Sequence, residues 1–144
     1  MEKINLFKGQ YFFLSNFYPS FVTYNGLDYL SSEAAYQAQK TLDENTRIKF
    51  TKMTASASKR RGRLINIRND WEQIKFNIMA DIVYNKFKQN LGLYDRLLNT
   101  GDIYLIEGNT HGDRVWGQVN GIGENLLGIA LMQVRDRLRQ EKNN

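Results

Sequence analysis

Two short apolar-rich runs near the start of the chain flank a turn signal. Phe21–Tyr24 and Leu27–Leu30 are separated by the pair Asn25-Gly26. Asn-Gly favours the positive φ angles of a type I′ turn, which joins two antiparallel strands. The pattern therefore predicts a β-hairpin.

Two helical patterns follow the hairpin. Ser31 or Ser32 is suited to an N-cap, and the small and strongly helix-forming residues after it predict a first helix over Glu33–Lys40. A second helix is predicted over Glu44–Met53. The segment Ser56–Arg63 carries serines and a basic run, and we expect it to be less regular.

The second half of the chain is predicted to be mainly helical. We expect Asp70 to cap a long helix that runs to about Asn90, with Gln73 completing a capping box. The remaining predicted elements are a short helix over Leu93–Asn99 closed by Gly101, a strand over Ile103–Ile106, and a final helix with Leu127, Leu131, Val134 and Leu138 on one face. The predicted fold class is α+β, predominantly helical, with a small β-hairpin or sheet.

Length and composition narrow the function classes. The 144 residues have the size of one domain, and no repeat or linker marks a second one. The absence of Cys excludes disulfides and thiolate catalysis, and a single His, at position 111, leaves the usual zinc ligand sets unavailable. The chain offers no recognisable set of metal ligands, and we expect neither a metal nor a cofactor. No apolar run suits a membrane span and the N-terminus lacks a secretory signal, so we expect a cytoplasmic protein without a membrane partner.

The net charge of +5 and the pI near 9.5 favour an anionic partner, such as nucleic acid, a nucleotide or a phosphorylated metabolite. The run Lys59–Arg63, with Arg68 shortly after, is suited to gripping phosphate through forked guanidinium hydrogen bonds. A solvated or nucleic-acid-facing patch is equally consistent with this run.

One face of the first predicted helix carries an unusual polar stripe. Glu33, Tyr36, Gln37 and Lys40 stand at i, i+3, i+4 and i+7, so they project from the same side. Small alanines occupy the opposite side and permit close packing. The alternative is an ordinary solvated face, which is the commoner fate of such a pattern.

Two further segments offer binding groups. Ser15, Asn16 and Phe17 lie in an aromatic opening that can hold a flat base, although aromatic residues more often serve the core. Trp116-Gly117 begins a glycine-rich stretch that leads into the last helix through Asn125, and backbone N–H groups at a helix start can receive an anion.

Taken together, these motifs resemble the NADAR family, also called YbiA-like. The resemblance spans nearly the whole chain and rests on several motifs in order: Leu14-Ser15-Asn16-Phe17; Ser32-Glu33 with Tyr36-Gln37-Ala38 and Lys40; Gly62-Arg63, Arg68 and Trp71; Lys86-Phe87; Trp116-Gly117; and Asn125, Leu127 and Gly128 with Leu131-Met132 and Arg135. The chain departs from the family pattern at Gln118–Asn120, which leaves the contacts of that loop open.

The resemblance implies hydrolysis of a ribose C1–nitrogen bond. Its substrate would be either ADP-ribose attached to a guanine base in nucleic acid or a phosphoribosylamino-pyrimidine intermediate of riboflavin synthesis. Glu33 matches the acidic residue of the family's Ser-Glu-x-x-x-Gln motif and is the first choice for the catalytic carboxylate, with Asp113 as a second acidic group. Lys40 either binds phosphate, which we favour, or attacks the ribose C1 as an amine. The implied substrate-binding residues are Ser15, Asn16, Phe17, Tyr36, Gln37, Arg63, Arg68, Trp116, Gly117 and Asn125.

Two other function classes stay open on the sequence. A non-catalytic module that binds ADP-ribose or nucleic acid would explain the charge and the aromatic residues, but it gives Glu33 no task. A purely structural partner protein is the least favoured reading.

Overall fold

The computed structural model describes residues 2–144, of which about half are helical. In chain order the elements are β1 (Lys3–Ile4), a 3-10 helix (Gly9–Leu14), β2 (Val22–Tyr24), β3 (Leu27–Tyr29), α1 (Ser32–Ala38), α2 (Glu44–Phe50), α3 (Ala55–Gly62), α4 (Trp71–Gln89), α5 (Leu91–Leu98), β4 (Tyr104–Leu105) and α6 (Leu126–Lys142). This composition confirms the predicted α+β, predominantly helical class. No helix of residues 2–144 is both long enough and apolar enough to span a bilayer.

The chain divides into two compact units. One is Asn16–Asn90; the other combines Met1–Ser15 with Leu91–Asn144, and Met1 lies outside the described residues. The expectation of one domain over residues 1–144 stays a prediction.

The hairpin opens the unit Asn16–Asn90 and confirms the turn signal. β2 and β3 pair antiparallel, with Val22 opposite Tyr29. Asn25 and Gly26 have φ angles of 48° and 81°, as a type I′ turn requires. The hairpin packs against α1, and β2 also packs against α4.

Helix α1 lies at the centre of this unit, with α2, α3 and α4 packed around it. Ser31 is its N-cap, since the Ser31 hydroxyl accepts a hydrogen bond of 3.1 Å from the backbone N–H of Ala34. The helix begins at Ser32 and ends at Ala38, so Lys40 lies beyond its end rather than within it. Every residue of α1 is buried, which contradicts the alternative of a solvated polar face.

The expectation of an irregular segment over Ser56–Arg63 is wrong, because α3 occupies most of it. Thr54 caps this helix by accepting a hydrogen bond of 3.1 Å from the N–H of Ala57. The buried face of α3 consists of Ala55, Ser58 and Gly62. Such small residues do not form an apolar stripe, which is why the pattern does not reveal the helix.

Helix α4 begins at Trp71 and ends at Gln89, as predicted, but its capping box is absent. Asp70 stands at the N-cap position without a side-chain capping hydrogen bond. Its carboxylate instead pairs with the Arg68 guanidinium at 2.7 Å. The predicted second helix is likewise shorter than expected, since α2 ends at Phe50.

In the other unit, β1 and β4 form a parallel pair, with Ile4 opposite Leu105. Helix α6 packs against β4 and α5. The core of this unit includes Leu97, Leu105 and Leu138, all fully buried. A strand of two residues is too short to show an alternation of polar and apolar positions, so the sequence does not predict β1.

Candidate active site

Glu33 is a buried carboxylate in the first turn of α1, with only 8% of its surface exposed. Its backbone N–H donates to the carbonyl of Asn16 at 3.1 Å. The side-chain amide of Gln37, one helical turn later, donates to Glu33 Oε2 at 2.6 Å. Main chain and side chain of Glu33 are therefore both held in place, as a catalytic carboxylate needs.

Asn16 anchors the start of α1. Its side-chain oxygen accepts a hydrogen bond of 2.9 Å from the Ser32 hydroxyl, and its side-chain nitrogen donates to the Met79 sulfur at 3.4 Å. These contacts assign Asn16 a part in positioning Glu33. Direct substrate binding by Asn16 stays a prediction.

Lys40 lies within electrostatic range of Glu33, although it follows the end of α1. Its backbone N–H donates to the carbonyl of Gln37 at 3.2 Å, which continues the helical turn. Burial lowers the pKa of the Lys40 amine below its ordinary value of 10.5, while the nearby Glu33 carboxylate acts in the opposite direction and Arg63 reinforces the lowering. The amine lies 5.8 Å from the centre of the Tyr36 ring.

Two aromatic rings stand beside these groups. The Tyr36 and Trp71 rings are 5.1 Å apart between centroids and tilted by 51°, and both residues are buried. Trp71 thus serves the core. Phe17 is half-buried, and the Lys59 amine lies 5.7 Å from the centre of its ring.

The two arginines expected to bind phosphate differ in their partners. The Arg68 guanidinium donates to both carboxylate oxygens of Asp70, at 2.7 and 3.0 Å, and its backbone N–H donates to the carbonyl of Lys40 at 2.8 Å. Arg63 follows the end of α3, is exposed, and forms no salt bridge with any carboxylate among residues 2–144. Arg63 is therefore the better placed of the two for an anionic ligand.

Gly62 leaves the space that Gln37 fills. A Cβ built on Gly62 would lie 1.9 Å from Gln37 Oε1 and 2.7 Å from Gln37 Cδ. Any larger residue must displace this amide, and with it the donor to Glu33. Gly62, which belongs to the family pattern, thus has a physical task in this chain: it leaves room for the Gln37 amide.

A second cluster lies in the other unit, around Asp113. Asp113 Oδ1 accepts hydrogen bonds from the backbone N–H groups of Val115 and Trp116, at 3.0 and 2.9 Å. The N–H of Asp113 donates to Asn109 Oδ1 at 3.0 Å. One carboxylate oxygen of Asp113 therefore shapes the turn that carries Trp116, which is half-buried.

Glu107 and Asn125 complete this cluster. Asn125 is buried, and its backbone has a left-handed conformation with a φ angle of 54°. Its Oδ1 accepts a hydrogen bond from the backbone N–H of Glu107, and its Nδ2 donates to the carbonyl of Leu105, both at 2.9 Å. Glu107 Oε2 accepts from the Asn109 amide at 2.9 Å. A Cβ on Gly117 would collide with the Glu107 carbonyl at 2.0 Å, so this glycine is required for the close approach.

The sequence reasoning gave Glu107 no role, although it follows the predicted strand directly. The donor atoms of Glu107, His111 and Asp113 all lie within 4.8 Å of one another. Among residues 2–144 this is the one such group with the ligand types that a divalent cation uses. Both carboxylates already accept hydrogen bonds from the protein, and the expected absence of a metal stays a prediction.

The predicted site residues thus fall into two groups by unit. Asn16, Glu33, Tyr36, Gln37 and Lys40 come together around α1, with Arg63 beside them. Asp113, Trp116, Gly117 and Asn125 come together around β4 and the start of α6. Ser15 follows the 3-10 helix, where its N–H donates to the carbonyl of Phe12 at 2.9 Å.

Comparison with known proteins shows the family of the chain. The family model of the NADAR domain matches residues 6–139. The chain is 35% identical over 132 residues to the N-glycosidase YbiA of Escherichia coli, covering 89% of this chain and 82% of that protein. It is 32% identical over 132 residues to an N-glycosidase of Nostoc punctiforme, covering 87% of this chain and 84% of that protein. The chain belongs to the NADAR domain family.

Two other similarities bear on the fold and the function. The NMR structure of Escherichia coli YbiA superimposes with a TM-score of 0.89 at 33% identity, covering 99% of this chain and 88% of that chain. A riboflavin biosynthesis protein of Vibrio vulnificus is 40% identical over 134 residues, which are 89% of this chain. This chain spans only 36% of the length of that Vibrio protein. Relatives of the chain are therefore named both as N-glycosidases and as a riboflavin biosynthesis protein.

Proposed function

We propose that the protein is an N-glycosidase that hydrolyses the ribose C1–nitrogen bond of a phosphorylated ribosyl substrate. The observation that carries the proposal is the buried Glu33 carboxylate. It accepts a hydrogen bond of 2.6 Å from the Gln37 amide and interacts electrostatically with the Lys40 ammonium. The names of the relatives, N-glycosidases in several organisms, support the reaction class.

Glu33 supplies the negative charge that this reaction needs. Cleavage of the bond develops positive charge on the ribose ring, and a fixed carboxylate stabilises that charge or activates a water molecule. A carboxylate that is already desolvated and oriented does so without the cost of rearrangement during the reaction. A non-catalytic binding module would have no need for such a group.

Lys40 binds the phosphate group of the substrate or stabilises negative charge in the site. A half-buried ammonium close to Glu33 and Arg63 is suited to an anionic group of the substrate. The same lowered pKa also suits an amine nucleophile that attacks the ribose C1. Replacement by Arg separates the two roles, since Arg preserves the charge but cannot form an imine.

Asp113 is the second candidate for a catalytic acidic group. Its hydrogen bonds to Val115 and Trp116 give it a fixed geometry. We propose Trp116 for stacking on the base and Asp113 for acid–base assistance to the departing nitrogen. An Asp113→Asn variant that folds and keeps full activity would remove Asp113 from the mechanism.

Two substrates fit the proposal. One is ADP-ribose on a guanine base of nucleic acid; the other is a phosphoribosylamino-pyrimidine, which the name of the Vibrio relative favours. Each is incubated separately with the purified protein and with its Glu33→Gln variant, and release of the base is followed by mass spectrometry. We expect turnover of one substrate and its loss in the variant. Tight binding of ADP-ribose or nucleic acid without turnover of either substrate would favour the binding module instead.

A further inference from the structure

A groove lies in the unit that combines residues 2–15 with Leu91–Asn144. It consists of two adjoining cavities of about 620 and 210 Å³, which share Ile4, Gln10, Tyr11 and Ile103 as lining residues. The larger cavity has a volume typical of small-molecule sites. We refer to the two cavities together as the β1 groove, because residues 2–6, which include β1, line the larger one.

Arg96 of α5 lines the smaller cavity with a guanidinium whose orientation is fixed. Its Nη2 donates to the Gln10 carbonyl at 2.7 Å, and its central carbon lies 4.2 Å from the centre of the buried Phe13 ring. A ring face and a hydrogen bond together hold the guanidinium in one plane. Arg96 pairs with no carboxylate in the part of the chain that the structure describes. Its remaining donors therefore suit a planar anion such as a carboxylate.

Two lysines line the larger cavity. Lys3 and Lys8 are exposed, and neither forms a salt bridge within residues 2–144. Glu2 is the one acidic residue that lines either cavity, so the β1 groove carries three cations against one anion. The whole unit contains eight Lys and Arg residues and eight Asp and Glu residues. The excess of positive charge is therefore a local property of the groove, and it favours an anionic ligand.

The part of the groove that both cavities share is mainly apolar. Ile4 is buried, and Tyr11 and Ile103 are half-buried. Lys3 and Lys8 line only the larger cavity and Arg96 only the smaller one, so this shared part lies between the lysines and the arginine. The layout suits a ligand that carries an anionic group at each end of an apolar body.

We propose that the β1 groove binds a small dicarboxylate. One carboxylate pairs with the fixed Arg96 guanidinium through two parallel hydrogen bonds, and the other lies between Lys3 and Lys8. The apolar body between them contacts Tyr11. A monoanion leaves one end of the groove uncompensated. This inference does not rest on the proposed function, since the groove shares no residue with the candidate active site.

The test measures the binding of succinate, adipate and suberate, three dicarboxylates of increasing length, to the isotope-labelled protein by NMR. The backbone amide shifts of Tyr11 and Ile103 report on the β1 groove, and that of Gln37 reports on the Glu33 site. Hexanoate, which has the length of adipate but only one charge, is the reference ligand. We expect one of the dicarboxylates to bind at least about tenfold more tightly than hexanoate, because it gains a second charge-assisted contact.

Variants at the two ends separate a built site from general charge attraction. Arg96→Gln should reduce the advantage of that dicarboxylate over hexanoate to about twofold or less. Lys3→Gln/Lys8→Gln should do the same at exposed positions, and it keeps the test open if loss of the Arg96 contact to Gln10 prevents folding. Arg60→Gln, which removes an exposed charge outside the groove, is the control. It should bind within about twofold of the wild type, because salt screens exposed charges.

Three results would overturn the proposal. The first is hexanoate binding as tightly as every dicarboxylate, which would show that the two ends do not act together. The second is an equal loss of dicarboxylate binding in Arg60→Gln and in the groove variants. The third is a saturable shift at Gln37 without one at Tyr11 and Ile103, which would place the bound anion outside the β1 groove.

Discussion

The Gln37 side-chain amide donates to Glu33 Oε2 at 2.6 Å, across one turn of a helix whose residues are all buried. Gly62 of α3 leaves the room that this amide occupies. The contact links the packing of two helices to the orientation of one carboxylate. It also makes the site sensitive to substitutions that never touch a substrate.

Gly62→Ala should lower kcat while leaving most of the stability intact. The new methyl group would lie 1.9 Å from Gln37 Oε1, and because that atom ends a side chain, the amide rather than the backbone moves away. Glu33 then loses the hydrogen bond from Gln37. Steady-state kinetics and thermal unfolding of the variant check this, with the exposed Gly92→Ala as a control, since nothing lies within 4 Å of a Cβ there. Wild-type kcat in Gly62→Ala would show that Gln37 does not matter to the reaction.

Lys40 should impose an alkaline limit on activity. If its ammonium binds the anionic part of the substrate, kcat/KM falls as pH rises through the Lys40 pKa, which burial holds below 10.5. The Lys40→Arg variant should keep part of the activity, and its kcat/KM should no longer fall at alkaline pH. The Lys40→Met variant should lose most of the activity. A pH–rate profile of the three proteins is the measurement. Activity that rises with pH and vanishes in Lys40→Arg would instead identify Lys40 as an amine nucleophile.

Lys86 should make the stability of the protein depend on pH. It is fully buried, with its amine 5.1 Å from the Phe87 ring, and burial lowers its pKa from 10.5 to about 7. Between these two pKa values the unfolded chain binds one proton more than the folded chain. The Lys86 contribution to the free energy of unfolding therefore rises with pH in this window, by up to about 1.4 kcal/mol per pH unit, and is lost as pH falls towards 7.

Urea unfolding of Lys86→Met between pH 6 and about 10 tests this relationship. The variant should be more stable than the wild type at the acidic end, and the difference should shrink towards alkaline pH. Lys88→Met, at an exposed position of the same helix, serves as the control. A difference between Lys86→Met and wild type that does not change with pH would mean that Lys86 stays charged in the folded protein.

Asn125→Ala should destabilise the protein by about 3 kcal/mol, because two hydrogen bonds of a buried side chain are lost and alanine is forced into a left-handed conformation. Asn120→Ala is the matched control. Asn120 has nearly the same φ, 53°, but is exposed, so only the backbone cost of about 1 kcal/mol applies. Equal losses in the two variants by urea unfolding would show that the hydrogen bonds of Asn125 add nothing.

The sequence predicts elements that carry their own local signal. Asn25-Gly26 fixes the hairpin, and Ser31 marks the start of α1. It does not predict α3, whose buried face consists of small residues, nor β1, which is two residues long. Helical spacing places Glu33 and Gln37 on one face, but what covers that face depends on α3 and α4, which lie far along the chain. The burial that distinguishes a catalytic carboxylate from a solvated one is a tertiary property.

The central claim is that Glu33 carries the chemistry, and single-turnover hydrolysis by Glu33→Gln tests it most directly. Glutamine preserves size and hydrogen bonding but removes the negative charge that stabilises the ribosyl cation. We predict that the variant folds with wild-type thermal stability to within a few degrees, still binds the substrate, and cleaves it at least about 100-fold more slowly. Cleavage within about threefold of the wild-type rate, in a folded variant, would contradict the assignment of Glu33.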